Sequence, residues 1–521
     1  MLEERICMLG TALDKIDSKE LAVEVFPNRP DMLSVEGFAR ALSVFIGIKK
    51  GFKEYKVKKT PLKVDVDSSV KSVRPFIKCA VMRNVNLDDD AIKSLMQLQE
   101  KLHQTHGRKR KRVAIGVHDF DKIKFPLKYK AVKPDSYSFI PLGDKRKLTM
   151  EQILKRTPKG EAYAWILEGK KEYPIIVDAA DNVVSFPPII NGILTQVTDE
   201  TRNIFIDVTG TDELAVSQAL NIIALTIADR GGIICSVKTG RDITPDLKPS
   251  QMPLDIPYAN KMLSLNLKES DIKNLLSKMG IGYKGKKALI PAYRVDILHQ
   301  MDLVEDIAVA YGYENFEPEF SEFSTTGEED KREIFFRHVS EILVGLGFLE
   351  TSTCHLTNYN NIKMKMNCDI GYIELANSVS SDYYILRPWL LPSLIKVLSE
   401  NKNRELPHKI FEIATVFSPN DEEETRVSEK KMLSIAIAST NSDFTKIKQV
   451  AEALLSALGV KYSIDEGKHQ SFISGRIADI IVSGKKIGFM GEISPQVLSN
   501  WEIETPVCAL EIDMESIYSF I

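Results

Sequence analysis

Four carboxylates fall within eleven residues, Asp296, Asp302, Glu305 and Asp306, in the stretch that runs from Arg294 to Asp306. Positions 302, 305 and 306 share one face of an amphipathic helix, because residues three and four apart are neighbours there. Acids so clustered repel, and something positive must offset them. A hard divalent cation such as Mg2+ takes oxygen ligands and keeps several of its waters. Alternatively, Asp302 with Glu305 three residues on is a capping box at a helix N-terminus, where acids also suit the helix dipole. Spacing alone leaves both open.

Other groupings carry weaker signals. Val208-Thr-Gly-Thr-Asp212 follows a predicted strand and opens a predicted helix, so amides, hydroxyls and a carboxylate converge in a polar pocket, or Thr211 or Asp212 simply caps a helix from Glu213. In Ser185-Phe-Pro-Pro-Ile-Ile-Asn191 two prolines stiffen a loop that presents Ser185 and Asn191 as hydrogen-bonding groups. The five consecutive cations Arg108 to Arg112 could grip phosphates, but such runs are usually solvated loops. His103 and His106 lie three apart on a predicted helix with no cysteine or carboxylate to complete a zinc set, and are expected at the surface.

At 521 residues the chain is too long for one core. Its 44% hydrophobic and 27% charged residues are those of a soluble globular protein. No run of eighteen apolar residues and no basic-flanked apolar start is present, which predicts neither membrane span nor signal peptide and a cytoplasmic protein. The six cysteines are scattered without a Cys-x-x-Cys pair, so they are expected to be reduced. A net charge of −3 draws no nucleic acid globally, and any RNA contact must be local.

Periodicity divides the chain into 1–70, 74–245, 253–325 and 327–521. The first part has a short helix, a strand over 22–26 and a helix capped by Asp31 that runs to Gly47. The second alternates strands (77–85, 113–117, 204–208) with helices (90–102, 214–228), a mixed α/β pattern. The third ends a helix at Gly280, has a strand over 288–291 and carries the acidic helix to Gly312. The fourth opens with a helix over 330–346 and continues with strands over 349–355, 410–417, 432–438 and 506–512, which predicts an antiparallel sheet flanked by helices. The class is α+β, multidomain.

Arg-Val-Asp-Ile followed by Asp-Leu-Val-Glu-Asp-Ile-Ala-Val-Ala-Tyr-Gly-Tyr resembles the signature of the phenylalanyl-tRNA synthetase beta subunit, in its archaeal and eukaryotic form. The Asn28-Arg-Pro-Asp31 string resembles the family's N-terminal module, although members usually begin with an additional strand and helix, so 1–70 reads as shortened. The part from 327 is similar to a class II synthetase fold, through Ile385-Leu-Arg-Pro-Trp-Leu-Leu-Pro-Ser-Leu394 and Lys409-Ile-Phe-Glu-Ile-Ala-Thr-Val-Phe417. A working class II site needs arginines on the ATP phosphates. None stands between Gly488 and Trp501, and the nearest, Arg476, lies upstream, so this domain is expected to be catalytically inactive, with Arg387 and Glu412 as structural ion-pair partners. With the chain ending shortly after Ile512, the extra C-terminal anticodon-binding domain of bacterial relatives is expected to be missing, in keeping with the archaeal form.

The resemblance implies Mg2+ held by Asp296, Asp302, Glu305 and Asp306. It also implies an editing module in 74–245 that uses Ser185, Asn191, Asp207 and Thr209 against mischarged tyrosyl-tRNA(Phe), with Ile176 as an apolar wall and His118 and Asp119 at the border. No Ser-His-Asp arrangement is evident, so a positioned water rather than a covalent nucleophile is expected. Two alpha and two beta chains are implied, with tRNA(Phe) as substrate and with ATP and phenylalanine bound by the alpha subunit. The rivals are a freestanding tRNA-binding scaffold and an independent aminoacyl-tRNA deacylase; an exposed apolar face on 327–521 would favour the obligate subunit.

Overall fold

The run Leu214-Ala-Val-Ser-Gln-Ala-Leu-Asn-Ile-Ile-Ala-Leu has too little polar surface for a solvent-facing helix. It becomes the helix Glu213–Asp229, in which Ile222, Ile223 and Leu225 are buried, each contributing roughly 1.5–3 kcal/mol. The computed structural model describes residues 2–17, 20–49, 51–321 and 323–521, in two units, Met1–Phe320 and Ser321–Ile521.

In the first unit this helix packs on a ten-stranded, mainly antiparallel sheet, in which Lys63–Val66 runs parallel to both of its neighbours. The strand Ile204–Gly210 lies between Phe76–Arg83 and Val113–Asp119. Side chains alternate along it. Ile204, Ile206 and Val208 enter the core under the helices Asp89–Gln104 and Glu213–Asp229, so Phe205, Asp207 and Thr209 face the other way. At the far end of the strand order Ile190–Asn191 pairs with Val183–Phe186, setting Ser185 opposite Asn191. The two ends meet: Asn191 Nδ2 donates to the Val117 carbonyl at 3.4 Å and Arg110 Nη1 to that of Ile189 at 2.9 Å.

A three-stranded sheet with the helices Ile256–Leu263, Glu269–Lys278 and Gln300–Tyr311 shares a core with Leu9, Met32 and Phe45 of the N-terminal segment. That segment holds a strand, Thr11–Ile16, that the sequence reading did not contain. Asp31 does not cap the next helix. It is fully buried against Arg29, and Ser34 caps Val35–Phe45 by accepting from the Gly37 N–H at 3.0 Å.

The second unit is a seven-stranded sheet with helices on both faces: Lys331–Gly345 and Phe444–Ala457 on one, Leu391–Glu400 on the other. Every strand pair is antiparallel except Leu349–Glu350 with His408–Pro419. The expected strand over 349–355 is this short because the Thr353 N–H and hydroxyl donate to the Glu412 carboxylate instead of a ladder. All six cysteines are free, and no helix among the described residues is long and apolar enough to cross a membrane.

Candidate functional site

Ser185, Asn191, Asp207 and Thr209 line one cavity of about 400 Å3, between the ends of the ten-stranded sheet, together with Gln99 and Arg110. The volume lies within the ~300–1,000 Å3 of ligand pockets. Three consecutive strands, Val183–Phe186, Ile190–Asn191 and Ile204–Gly210, supply the four polar groups from opposite ends of the sheet. Ser185 Oγ donates to Asn191 Oδ1 at 3.0 Å. Thr209 Oγ1 accepts from Arg74 Nε at 2.9 Å, which leaves the hydroxyl proton free to donate. Burial pulls the Arg74 guanidinium below its ordinary value, while Tyr129 and Asp207 oppose that pull.

Asp207 is 1% exposed, and its Oδ1 is 2.7 Å from His118 Nε2, whose Nδ1 is 2.8 Å from Thr195 Oγ1. The imidazole donates from Nε2 to the carboxylate, and at Nδ1 it shares a hydrogen bond with Thr195, whose hydroxyl also lies 3.4 Å from the Gly192 carbonyl. This Thr-His-Asp chain was not legible in the sequence. Its polarity is the reverse of a nucleophilic triad, because the carboxylate lines the cavity and Thr195 does not. Asp207 Oδ2 makes no hydrogen bond among the described residues. Gly116 makes the pair possible, since a Cβ there would sit 2.3 Å from Asp207 Oδ1 and 2.7 Å from His118 Nε2.

His118 stands behind Asp207 rather than at the border, and Ile176, opposite Ser185 on the neighbouring strand, is in the core and does not line the cavity. Asp119 is occupied by Thr201 Oγ1 and the Asp121 N–H. Asp212 is the helix cap, accepting from the Ala215 N–H at 2.9 Å. The histidine expectation is corrected. His103 is 1% exposed and accepts the Ile115 N–H at 2.8 Å, and His106 reaches the Ala215 carbonyl at 3.0 Å, because the helix end packs on the strand Val113–Asp119.

Of the cation run, Arg110 and Arg112 are absorbed by the fold. Arg110 binds Glu100 at 2.9 Å and stacks over Tyr163, and Arg112 binds Asp212 at 2.9 Å. His103 and Arg110 together hold the Glu100 carboxyl well below the usual carboxylate range. Arg108, Lys109 and Arg110 all have left-handed backbones, at φ 48, 53 and 67°. Each costs about 1–2 kcal/mol without a glycine.

The four acids of the signature are partly separated. Arg294 donates to both oxygens of Asp296, at 2.9 and 2.7 Å, and to Asp306 at 2.8 Å. Burial opposes its charge, but Asp306 and Asp296 hold the guanidinium well above its ordinary value. Asp302 accepts the Leu298 and His299 N–H groups and is the third residue of a capping box whose first member is His299, one turn earlier than Asp302 with Glu305 suggested. Glu305 is exposed. Among the described residues no group of three or more His, Cys, Asp or Glu is arranged to hold a metal, so this donor set as it stands does not fit Mg2+. In the second unit Arg387 and Glu412 form the expected buried ion pair at 3.0 Å, and Arg476 is held by Glu492 at 2.7 Å.

Three family descriptions match in order: "B3/4 domain" over 70–226, "tRNA synthetase B5 domain" over 252–313 and "Phenylalanyl tRNA synthetase beta chain CLM domain" over 318–514. The chain is 42% identical to the phenylalanine–tRNA ligase beta subunit of Pyrococcus abyssi, over 98% of its own length and 92% of that protein's. The chain belongs to the phenylalanyl-tRNA synthetase beta-subunit family. The beta subunit of Archaeoglobus fulgidus is also 42% identical, over 99% and 94% of the two chains. A crystal structure of an N-terminal fragment of the Pyrococcus horikoshii beta subunit matches 60% of this chain and 93% of the fragment, with 39% identity and a TM-score of 0.57. Family membership thus spans both units, including the domain that carries the cavity.

Proposed function

We propose that this chain is the non-ligating beta subunit of a phenylalanine–tRNA ligase and that its cavity hydrolyses tyrosyl-tRNA(Phe). The convergence of Ser185, Asn191, Asp207 and Thr209 on one cavity carries the reading. A synthetic pocket for phenylalanine rejects a substrate that merely adds a hydroxyl by only about a hundredfold. A second pocket that hydrogen-bonds the phenol corrects the error. Asp207 Oδ2 accepts the phenolic proton and the Thr209 hydroxyl donates to the phenol oxygen. A phenylalanyl group would leave both buried groups unpaired and is rejected. Hydrolysis adds water across the ester, releasing tyrosine and the ribose hydroxyl of the tRNA. Ser185 Oγ is engaged by Asn191, in keeping with a positioned water rather than a covalent intermediate.

The ligase reaction belongs to the alpha partner, with ATP and phenylalanine bound there, because Arg387 is buried against Glu412 and no arginine stands between Gly488 and Trp501 to meet a phosphate. The obligate-subunit reading is favoured over a lone deacylase by apolar exposure on the second unit: Val344 and Leu349 are 56% and 68% exposed, and Leu346 and Leu406 border a cavity of about 490 Å3. Mg2+ is assigned no role in this reading. The test is misacylation by the assembled ligase. Asp207→Ala or Thr209→Ala lets tyrosyl-tRNA accumulate while phenylalanine charging persists, and unchanged proofreading in both variants rejects the assignment.

A further inference from the structure

The cavity has a cationic approach that its catalytic groups do not explain. Arg110 lines it, and Lys109 and Lys111, its neighbours in the chain, are exposed, as is Arg108. The side chains of Arg108, Lys109 and Lys111 make no hydrogen bond or ion pair among the described residues. Lys159, also exposed at its side chain, lines the same cavity 3.7 Å from Glu100. Arg110 itself is 8% exposed, and its Nε is buried without a partner.

The loop that bears these cations is held in one shape. Gly107 cannot be replaced without a clash, since a Cβ would lie 2.5 Å from the Val113 carbonyl oxygen. The Lys109, Arg110 and Arg112 amides are bonded to the Gln104, His103 and Gly107 carbonyls. Arg74 Nη1 ties the Lys111 carbonyl to the strand that carries Thr209. Consecutive left-handed residues other than glycine are unfavourable and persist at sites where the geometry is used. Here that geometry sends three unpaired cations outward next to a side chain that reaches in.

We propose that Arg108, Lys109 and Lys111, with Lys159 at the mouth, form a phosphate track that guides the single-stranded 3′ end of the charged tRNA into the cavity. The inference rests on the editing reading and adds the route by which its substrate arrives. The track carries no aromatic side chain in 107–112 on which a base could stack, so it holds backbone phosphates and is indifferent to sequence. It also reconciles the chain's net charge of −3 with RNA binding, because the attraction is concentrated at one mouth.

The test is Arg108→Gln, Lys109→Gln and Lys111→Gln combined in the assembled ligase. Glutamine keeps the side-chain reach and asks nothing new of the left-handed backbone. Hydrolysis of tyrosyl-tRNA is followed across a salt series, with Asp207→Ala beside it. The expected result is a KM raised on the order of tenfold or more and a log–log salt slope reduced by about two, at ~0.7 per phosphate contact on a single strand. An unchanged KM and slope, with hydrolysis still abolished by Asp207→Ala, overturns the track and leaves the editing reading intact. Should Asp207→Ala hydrolyse normally, the editing reading fails and the track is judged by binding of an uncharged acceptor-stem minihelix followed by fluorescence anisotropy. Weakened, less salt-dependent binding of that RNA by the triple variant supports the track. Equal binding, or displacement of the minihelix by polyglutamate at lower charge concentration, overturns it.

Discussion

Two groups of buried carboxylates in the first unit are satisfied in opposite ways. Around Arg294 a single guanidinium meets Asp296 and Asp306, and nearby Asp31 is met by Arg29. Around Asp207 the partner is an imidazole that engages one oxygen, and the other faces a cavity. A buried acid held by a guanidinium braces the fold, as Asp296 is through both oxygens and Asp306 through Oδ2. One left half-satisfied beside open space is equipped to bind. The acidic signature, the most conspicuous feature of the sequence, belongs mainly to the first kind, and the unremarkable Asp207 to the second.

The contrast can be broken most forcefully at Arg294. Arg294→Met strands the buried Asp306 and the half-buried Asp296 and should cost about 3–5 kcal/mol in urea unfolding; an unmoved midpoint would mean that the pairing braces nothing. Asp207→Asn keeps an acceptor for His118, so its unfolding midpoint should stay near that of the parent chain while tyrosyl-tRNA hydrolysis falls on the order of a hundredfold. Equal damage to stability from Asp207→Asn and Arg294→Met would erase the distinction between the two groups.

Glu511 of the second unit sharpens the comparison with a buried acid that has no arginine hydrogen bond. The Leu390 and Leu391 amides hold it at 3.1 and 2.9 Å, yet burial pushes it up to about 7. Its folded value lies above its ordinary 4.5, so the native state holds the proton more tightly than the unfolded chain. The associated stability is complete below about 4.5 and is lost as pH rises through about 7, on the order of 3 kcal/mol in total. Unfolding titrations from pH 4 to about 8 should show that decline in the parent chain and a flatter profile in Glu511→Gln. The smallest effect expected is at Ser34, where loss of the cap to alanine should cost about 1 kcal/mol by thermal melting. Asp31→Ala should cost more, since Asp31 belongs to the Arg29 pair. The reverse order would restore Asp31 as the cap.

Helices were the most legible elements. The stretches expected over 90–102, 214–228 and 330–346 are Asp89–Gln104, Glu213–Asp229 and Lys331–Gly345, because apolar spacing and an aspartate cap mark each. The hairpin Phe472–Val482 with Lys485–Ile493 went unread, although Ser483-Gly484, both with positive φ, is a two-residue turn between apolar strands. Of the site, the family resemblance supplied Ser185, Asn191, Asp207 and Thr209 and set His118 at the border, and Arg110 stood in the cation run, but Gly116, Arg74 and the partners of His118 and Arg110 came only from the fold. Gly116 had a signal, an isolated glycine inside an apolar strand, which marks close approach by another group.

By itself the order of residues determined which positions are apolar at helical or strand period, which polar groups cap, and that Asp207 and Thr209 share a strand face. It did not decide which carboxylate meets an arginine, which meets a histidine 89 positions away, or which of five adjacent cations is left unpaired. Periodicity is a local property of the backbone and names the face a side chain occupies. The partner it meets there is set by which segments the fold lays side by side, as Val113–Asp119 beside Ile204–Gly210 brings His118 to Asp207, and that depends on the packing of the whole unit.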